Sequence, residues 1–384
     1  MAVYLDHAAT TPMLPEAITA YTAALTIVGN PSSIHSQGQN AKRLLEEARE
    51  QVAASLGAEP IEVILTSGGT ESINLAIKGL FWERNTAEVS RPRILVPRGE
   101  HHATVDVVEW LETFEHAVID WLPVDADGRI VLSELSARLG PDVALVTLLI
   151  ANNEVGTLQP VAEVAALAAG HGVPVHADAV SAYGHVPIDF RASGLAALSV
   201  SAHKIGGPLG IGALLVARTA TLVPLIHGGG QQRQLRSGTQ DAPAAIAFGV
   251  AARHPQPSLV RLRDRVIAGV QRMVPTAVLR GDAVNRLDNN AHFTFPGCQG
   301  DSLLFLLDSA GISVSTGSAC QAGVSQPSHV LLAMGLSEDV ARGALRITVG
   351  HTTTDADVDA FLAALPAAVA RAQRAGFADR RVGE

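Results

Sequence analysis

The stretch "VPVHADAVSAYGHVPIDFRASGLAALSVSAHKIGGPLGIGALLVAR", residues 173–218, decides how this chain is folded. It holds three short apolar runs, "VPVHAD", "ALSVSAHK" and "GALLVAR", each too short for a helix and too continuously apolar for a strand with one wet face. They read as strands buried on both sides. The first ends on Asp178 and the second on Lys204, followed by the turn-rich "IGGPLGIG". Two ionisable side chains at the mouths of buried strands need either partners or an occupation.

The same alternation extends outward. Upstream, "VALVTLLIA" (143–151) is a further strand, with the helical "VAEVAALAAG" (161–170) between it and the opening stretch. Earlier still, "IEVILT" (61–66) and "RILVP" (93–97) read as strands on either side of the helix "ESINLAIKGLFWER" (71–84). The stretch "NAKRLLEEAREQVAASL" (40–56) places Leu44, Leu45, Ala48, Val52 and Leu56 on one helical face. Apolar strands alternating with helices define an α/β fold with a mostly parallel sheet flanked by helices. Downstream, residues 241–275 read as one longer helix with the charged face "RLRDRVIAGVQR". A smaller α+β region follows, with "AHFTFPG", "DSLLFLLDSAG", "ISVST", "ALRITVG" and an Ala-rich terminal helix. The expected organisation is a large domain over 15–250 and a small one made of 1–14 plus 251–384, with no internal repeat.

Composition narrows the function classes. The chain has 384 residues, 47% hydrophobic and 17% charged, which is an ordinary globular balance rather than a disordered one. A formal net charge of −9 argues against a generic polyanion-binding surface, so direct nucleic-acid binding is not expected. Two cysteines and no CxxC pair give neither a disulfide framework nor a zinc knuckle, so no metal is expected and the compartment is read as reducing. The start "MAVYLDHAATTP" has no basic region followed by an apolar one, and the longest apolar run is half of a membrane span. A cytoplasmic protein without a membrane partner is the expectation.

Ligands in open parallel sheets bind beyond the carboxyl ends of the strands. At the end of "IEVILT" comes "SGGTES" (67–72), opening a helix. Its glycines allow close backbone approach, and unpaired N–H groups with the Thr70 and Ser72 hydroxyls make a cradle for one phosphate. The plainer alternative is a helix cap on Thr70 or Ser67. No GxxxxGK[ST] sequence occurs, which argues against a nucleoside triphosphate. Asp178 suits a protonated pyridine nitrogen, against the plainer alternative of a salt bridge or turn cap. Lys204 suits a Schiff base, since desolvation lowers a lysine's pKa, against a surface lysine at a strand exit. A phosphate cradle, a pyridinium partner and a Schiff-base lysine together are the three anchors that pyridoxal 5′-phosphate requires.

The motifs "YLDHAATTP", "GNPSSIHSQG", "TSGGTESINLAIKG", "ANNEVGT", "HADAV", "SAHKIGGPLGIGAL", "GGGQQRQLRSGT" and "STGSAC", in this order from about residue 3 to 352, resemble those of cysteine desulfurases. These belong to the class V aminotransferase group on the fold-type I architecture, and the last motif resembles the long-loop, NifS/IscS-like branch. The resemblance implies that Lys204 carries the cofactor, that Asp178 faces its ring nitrogen and that His101 of "GEHHA" stacks on the ring. It assigns the phosphate shell to Gly69, Thr70, Ser201 and His203, with Thr239 coming from a partner subunit. Asn153 would lie near the ring hydroxyl, and Asn30 and Arg346 would hold the substrate carboxylate. Ser181 stands where the family usually has a glutamine that hydrogen-bonds the ring oxygen. Leu209, Gln232 and Thr316 are further departures, and none of them removes an essential group.

The stretch "STGSACQAGVSQPSH" (315–329) surrounds Cys320 with small polar residues that are poor material for a core. The resemblance makes its thiolate the acceptor of the sulfur of L-cysteine, leaving alanine and an enzyme persulfide. It also implies a homodimer that passes the sulfur to an acceptor protein, an iron–sulfur scaffold or a thiolation enzyme. Lys204 and His101 are the expected proton carriers. A selenocysteine lyase, an aminotransferase-like relative and an idle scaffold remain open readings of the same motifs. Cys298, in "FPGCQGD", reads as structural.

Overall fold

The computed structural model describes residues 2–86, 88–317, 320–321 and 324–382, and for 320–321, 324–325 and 375–382 the backbone alone. The central sheet is built from β2 (Val63–Thr66), β3 (Arg93–Pro97), β4 (Val118–Leu122), β5 (Val143–Leu149), β6 (Val175–Asp178), β7 (Ala197–Ser201) and β8 (Gly212–Val216), counting Val3–Tyr4 as β1. Their order across the sheet is β2-β8-β7-β6-β5-β3-β4. All neighbours are parallel except β8, which runs against both β2 and β7. The fold is therefore the expected α/β one, and β2, β3, β5, β6 and β7 all end on one edge.

Alternation along each strand feeds two cores. Ile64, Ile94, Leu145 and Leu214 point to one face and pack with α3 (Gly69–Glu83) and α4 (His102–Glu115). Leu65, Leu95, Val146, Leu198 and Leu215 point to the other, against α2 (Ser36–Ser55) and α8 (Ala242–Arg253), counting Pro15–Ala24 as α1, Leu132–Arg138 as α5, Val161–Ala169 as α6 and Phe190–Ser193 as α7. Successive side chains on a strand face opposite ways, so a run of continuous apolar residues serves both layers.

A third core gathers Val3, Leu5, Phe293, Phe295, Leu345, Ile347, Phe361 and Leu365. Here an antiparallel sheet of β9 (Val278–Arg280), β10 (Asn290–Thr294) and β14 (Ala344–Thr348) packs on α9 (Val260–Met273), α10 (Gly300–Asp308) and α13 (Asp355–Val382). Two short helices, α11 (His329–Ala333) and α12 (Glu338–Ala341), and the short strands β11 (Ile312–Ser313), β12 (Cys320–Gln321) and β13 (Val324–Ser325) complete the region. β1 pairs with β11 in parallel, so the N-terminal segment belongs to this core. We propose on this ground the division into 15–250 and 1–14 plus 251–384. No helix among the described residues is long and apolar enough to cross a membrane.

The long helix expected over 241–275 is in fact two. α8 stops at Arg253, His254 turns extended before Pro255, and Pro257 follows before α9 starts at Val260. A residue preceding proline is driven out of the helical region, and proline supplies no N–H to continue the ladder. "ISVST" is likewise shorter than expected. Only Ile312–Ser313 is strand, after which Ser315 makes a single bridge to Arg346.

Candidate active site

A cavity of about 400 Å³ opens at the shared strand edge, within the range of sites for small ligands. Its walls include Gly69, Thr70, His101, Asn153, Asp178, Ser181, Ser201, His203, Lys204 and Arg346, ten of the expected site residues. Sequence separations of more than 130 residues are closed by one edge of the central sheet, and Arg346 is added from β14 of the smaller sheet.

The cradle comes from the way β2 meets α3. The helix begins at Gly69, its N-cap is Gly68, and no side chain caps it. The alternative of a cap on Thr70 or Ser67 is thereby corrected: Ser67 instead gives its N–H to Glu71, and Glu71 is paired with Arg236 (2.8 Å). The first-turn N–H groups are left facing the cavity at the positive end of the helix dipole. A Cβ on Gly69 would lie 2.6 Å from Cγ2 of Val180, so only glycine lets the turn pack this closely. Ser201 and His203, at the end of β7, line the same corner. The His203 Nδ1 lies 3.2 Å from the Thr10 hydroxyl.

Asp178 is buried, and among the described residues it has no ion-pair partner. Its Oδ1 accepts the Val180 N–H at 2.8 Å, and burial pushes its carboxyl up to about 6, the Val180 hydrogen bond and Lys204 opposing. A carboxylate in that state is short of one positive charge, which a pyridinium N–H supplies. Lys204 donates to the carbonyls of Ala8 and Ala9, the latter at 3.0 Å. Burial, then Arg346, brings its pKa down to about 8, while Asp178 and Asp6 pull it up. A lysine so poised has a usable share of free amine near neutrality.

His101 caps α4 through Nδ1, which accepts the Ala103 N–H at 3.0 Å. The neutral ring must then carry its proton on Nε2. Desolvation, followed by Lys204, holds its pKa down at about 4, so the ring is neutral while one side of it remains open to the cavity. Arg346, on β14, is buried. Its Nη1 holds the Asn153 carbonyl at 2.8 Å and its Nη2 holds Asp6 at 3.0 Å, while Nε has no partner among the described residues.

Three expected residues are not brought into the cavity. Asn30 is exposed between α1 and α2, where its side chain accepts the Ser32 N–H. Thr239 is exposed at the end of the glycine-rich loop. The side chain of Cys320 lies outside the described residues. Its backbone forms β12, paired with β13, and the stem before it places Ser315 and Gly317 in the cavity wall. Sequence reasoning passed over Asp6, which pairs with Arg346 and faces Lys204. It sits inside the quoted "YLDHAATTP", but nothing local in the sequence shows what an acid there would meet.

An α/β enzyme with a lysine, an unpaired buried acid and an uncapped helix start around one cavity fits pyridoxal 5′-phosphate, which its relatives use. A model of the class V aminotransferases matches residues 3–361. The chain is 54% identical over 385 residues to an IscS-like cysteine desulfurase of Mycobacterium tuberculosis, covering 98% of each. It is 40% identical over 376 residues to a cysteine desulfurase IscS of Methanosarcina thermophila, covering 95% of this chain and 91% of that one. A solved NifS-like protein superposes with a TM-score of 0.89 at 33% identity, covering 97% of this chain and all of that one. The chain belongs to the class V aminotransferase family, and within it to the cysteine desulfurases.

Proposed function

We propose that the cavity releases the sulfur of L-cysteine and that Cys320 carries it away as a persulfide. Bound pyridoxal phosphate supplies the electron sink that makes the substrate's Cα proton acidic. The observation that carries the reading is the convergence of Lys204, Asp178 and the bare start of α3 on one cavity. The α3 N–H groups, Thr70, Ser201 and His203 would hold the phosphate, Asp178 would take the ring N–H, and Asn153 and Ser181 line the same cavity with polar groups. Lys204 would hold the cofactor through Nζ, and its free amine would carry a proton. His101 would lie against the cofactor and offer or take a proton at Nε2, the nitrogen its cap leaves available. Arg346 turns its guanidinium to the substrate carboxylate, a planar fork matched to that group. In the net reaction the Cβ–S bond of cysteine breaks and an S–S bond forms at Sγ of Cys320. One thiol proton ends on the methyl group of alanine and the other stays on the persulfide, so no outside oxidant is needed.

A homodimer is part of this reading, since Thr239 is exposed and outside the cavity of its own chain, as a residue lent to a partner's site would be. The sulfur acceptor is a protein of iron–sulfur assembly or thiolation, met in the cytoplasm. The test is Cys320→Ala with L-cysteine in excess. The variant keeps the visible absorbance of the lysine-bound cofactor but stalls alanine formation and releases no sulfur. Parental sulfur release from Cys320→Ala would discard the persulfide route, and an unchanged visible band in Lys204→Ala would discard the anchor.

A further inference from the structure

A buried carboxylate beside the cavity is used by nothing so far described. Glu154 is 2% exposed and has no ion-pair partner among the described residues. It follows Asn153 directly, and its backbone is fixed on two sides. Its N–H goes to Oδ1 of Asn152 at 2.9 Å, and its carbonyl accepts Nδ2 of Asn290 at 3.0 Å. A buried carboxylate must be given donors. The one described here is the Ser328 hydroxyl, at 2.5 Å from Oε2.

Ser328 closes the far end of the segment that carries Cys320. It also caps α11, accepting the Leu331 N–H at 3.2 Å. Gly317 closes the near end and lies beside the same carboxylate without bonding to it. A Cβ built on Gly317 would lie 3.4 Å from Oε2 of Glu154 and 3.3 Å from Nε2 of His292. Gly317 has φ +84°, and its N–H is held by the Ser315 hydroxyl at 3.0 Å. His292 is fully buried, with neither ring nitrogen partnered among the described residues. Burial, then Arg346, Arg286 and Arg280, holds it far below the usual imidazole range, to about 3. It is neutral and does not compete with the loop for the carboxylate by forming an ion pair.

We propose that Glu154, acting through Ser328, is a positioning residue that ties the far stem of the Cys320 segment to the turn after β5 that carries Asn153. The motif that forms the cofactor wall thus also fixes where the Cys320 segment rejoins the fold. The inference rests on the assignment of Cys320 as sulfur acceptor, and it predicts an effect on sulfur capture without one on cofactor or substrate binding.

Glu154→Ala, Ser328→Ala and their combination test it, with Ser328→Thr as the conservative variant. Should Glu154→Ala fail to fold, the two Ser328 variants carry the test. Each alanine variant is expected to lower kcat on the order of tenfold or more, since a misplaced reacting group loses that much. KM for cysteine and the visible cofactor band stay as in the parent. The double variant is no worse than the worse single, as two halves of one contact require. Ser328→Thr restores the parental rate. In the cofactor-free protein, iodoacetamide alkylates Cys320 severalfold faster in the alanine variants, with buried Cys298 as the internal control. Parental kcat and parental alkylation in Ser328→Ala would overturn the proposal, as would additive losses in the double variant or a loss of the cofactor band in step with kcat. Cys320→Ser run alongside separates the two ideas. Parental alanine formation there removes the sulfur-acceptor assignment, while the alkylation rates still decide whether Glu154 anchors the segment.

Discussion

At the scale of single residues the site works by leaving charges unpaired. Asp178 in the cofactor-free protein is an acid whose pKa burial has raised from 3.8 to about 6. A raised acid contributes its stability below its unfolded pKa and loses it as pH climbs through the folded one, so the cost is complete above pH ~6. The rise corresponds to about 3 kcal/mol at most. Asp178→Asn keeps an acceptor for the Val180 N–H and carries no charge. Thermal unfolding of the cofactor-free variant is therefore expected to exceed the parent near pH ~8 and to match it near pH ~4. The same variant binds pyridoxal phosphate about tenfold or more weakly, because it deprives the ring nitrogen of a charged partner. Parental affinity with no gain in stability would remove the pyridinium role. Lys204 has the opposite sign: burial lowers it from 10.5 to about 8, and only its neutral form attacks an aldehyde. Attachment of added cofactor, followed in the visible band, should accelerate about tenfold per pH unit and level off above about 8. Arg346→Gln removes a neighbouring positive charge and should move that bend to higher pH.

At the scale of elements, the decisive one is α3, a helix whose start is kept bare. Gly68 and Gly69 offer no side chain to cap it, Glu71 is drawn aside by Arg236, and Val180 closes on Gly69 from the turn just after Asp178. Gly69→Ala forces a methyl to within 2.6 Å of Val180 Cγ2, so one of the two elements must move. Overpacking of this kind costs about 1–3 kcal/mol. The variant should unfold at lower denaturant and lose cofactor affinity, and Gly69→Ala with Val180→Ala should recover most of both. If the second substitution recovers nothing, the glycine is there for its backbone and not for the approach of Val180. The junction of α8 and α9 shows a cheaper use of local chemistry. Pro255 and Pro257 cut an otherwise helical pattern, and the cut falls where the chain passes from the core of Phe248 to the core of Leu262.

At the scale of the whole molecule, what the sequence disclosed and what it withheld divide along a physical line. Buried strands with ionisable ends were legible because a continuous apolar run and a terminal Lys204 or Asp178 are local facts. The helix break at Pro255 was equally local, but periodicity carried the reading across it. Asp6 against Arg346 and Glu154 against Ser328 were not legible. Each is a contact between residues more than 170 positions apart, made only when the third core docks on the sheet. Asn30 and Thr239 lie a further level away, since the single chain leaves both exposed. If they complete a neighbour's cavity, the defect of Thr239→Ala and that of Lys204→Ala fall in the same site of a mixed dimer and spare the other. A Lys204→Ala protomer still lends an intact Thr239 to its partner, and a Thr239→Ala protomer still has its own Lys204. One of the two sites in the mixed dimer is then whole. Loss of a hydrogen bond to a charged phosphate weakens cofactor binding about tenfold or more, so the defect shows at limiting pyridoxal phosphate. Co-expressed, separately tagged and purified as the mixed species, the two impaired variants should regain about half the parental activity per dimer at limiting pyridoxal phosphate, one site of two. Activity no higher than in either parent variant would place Thr239 in its own chain's site, or in none.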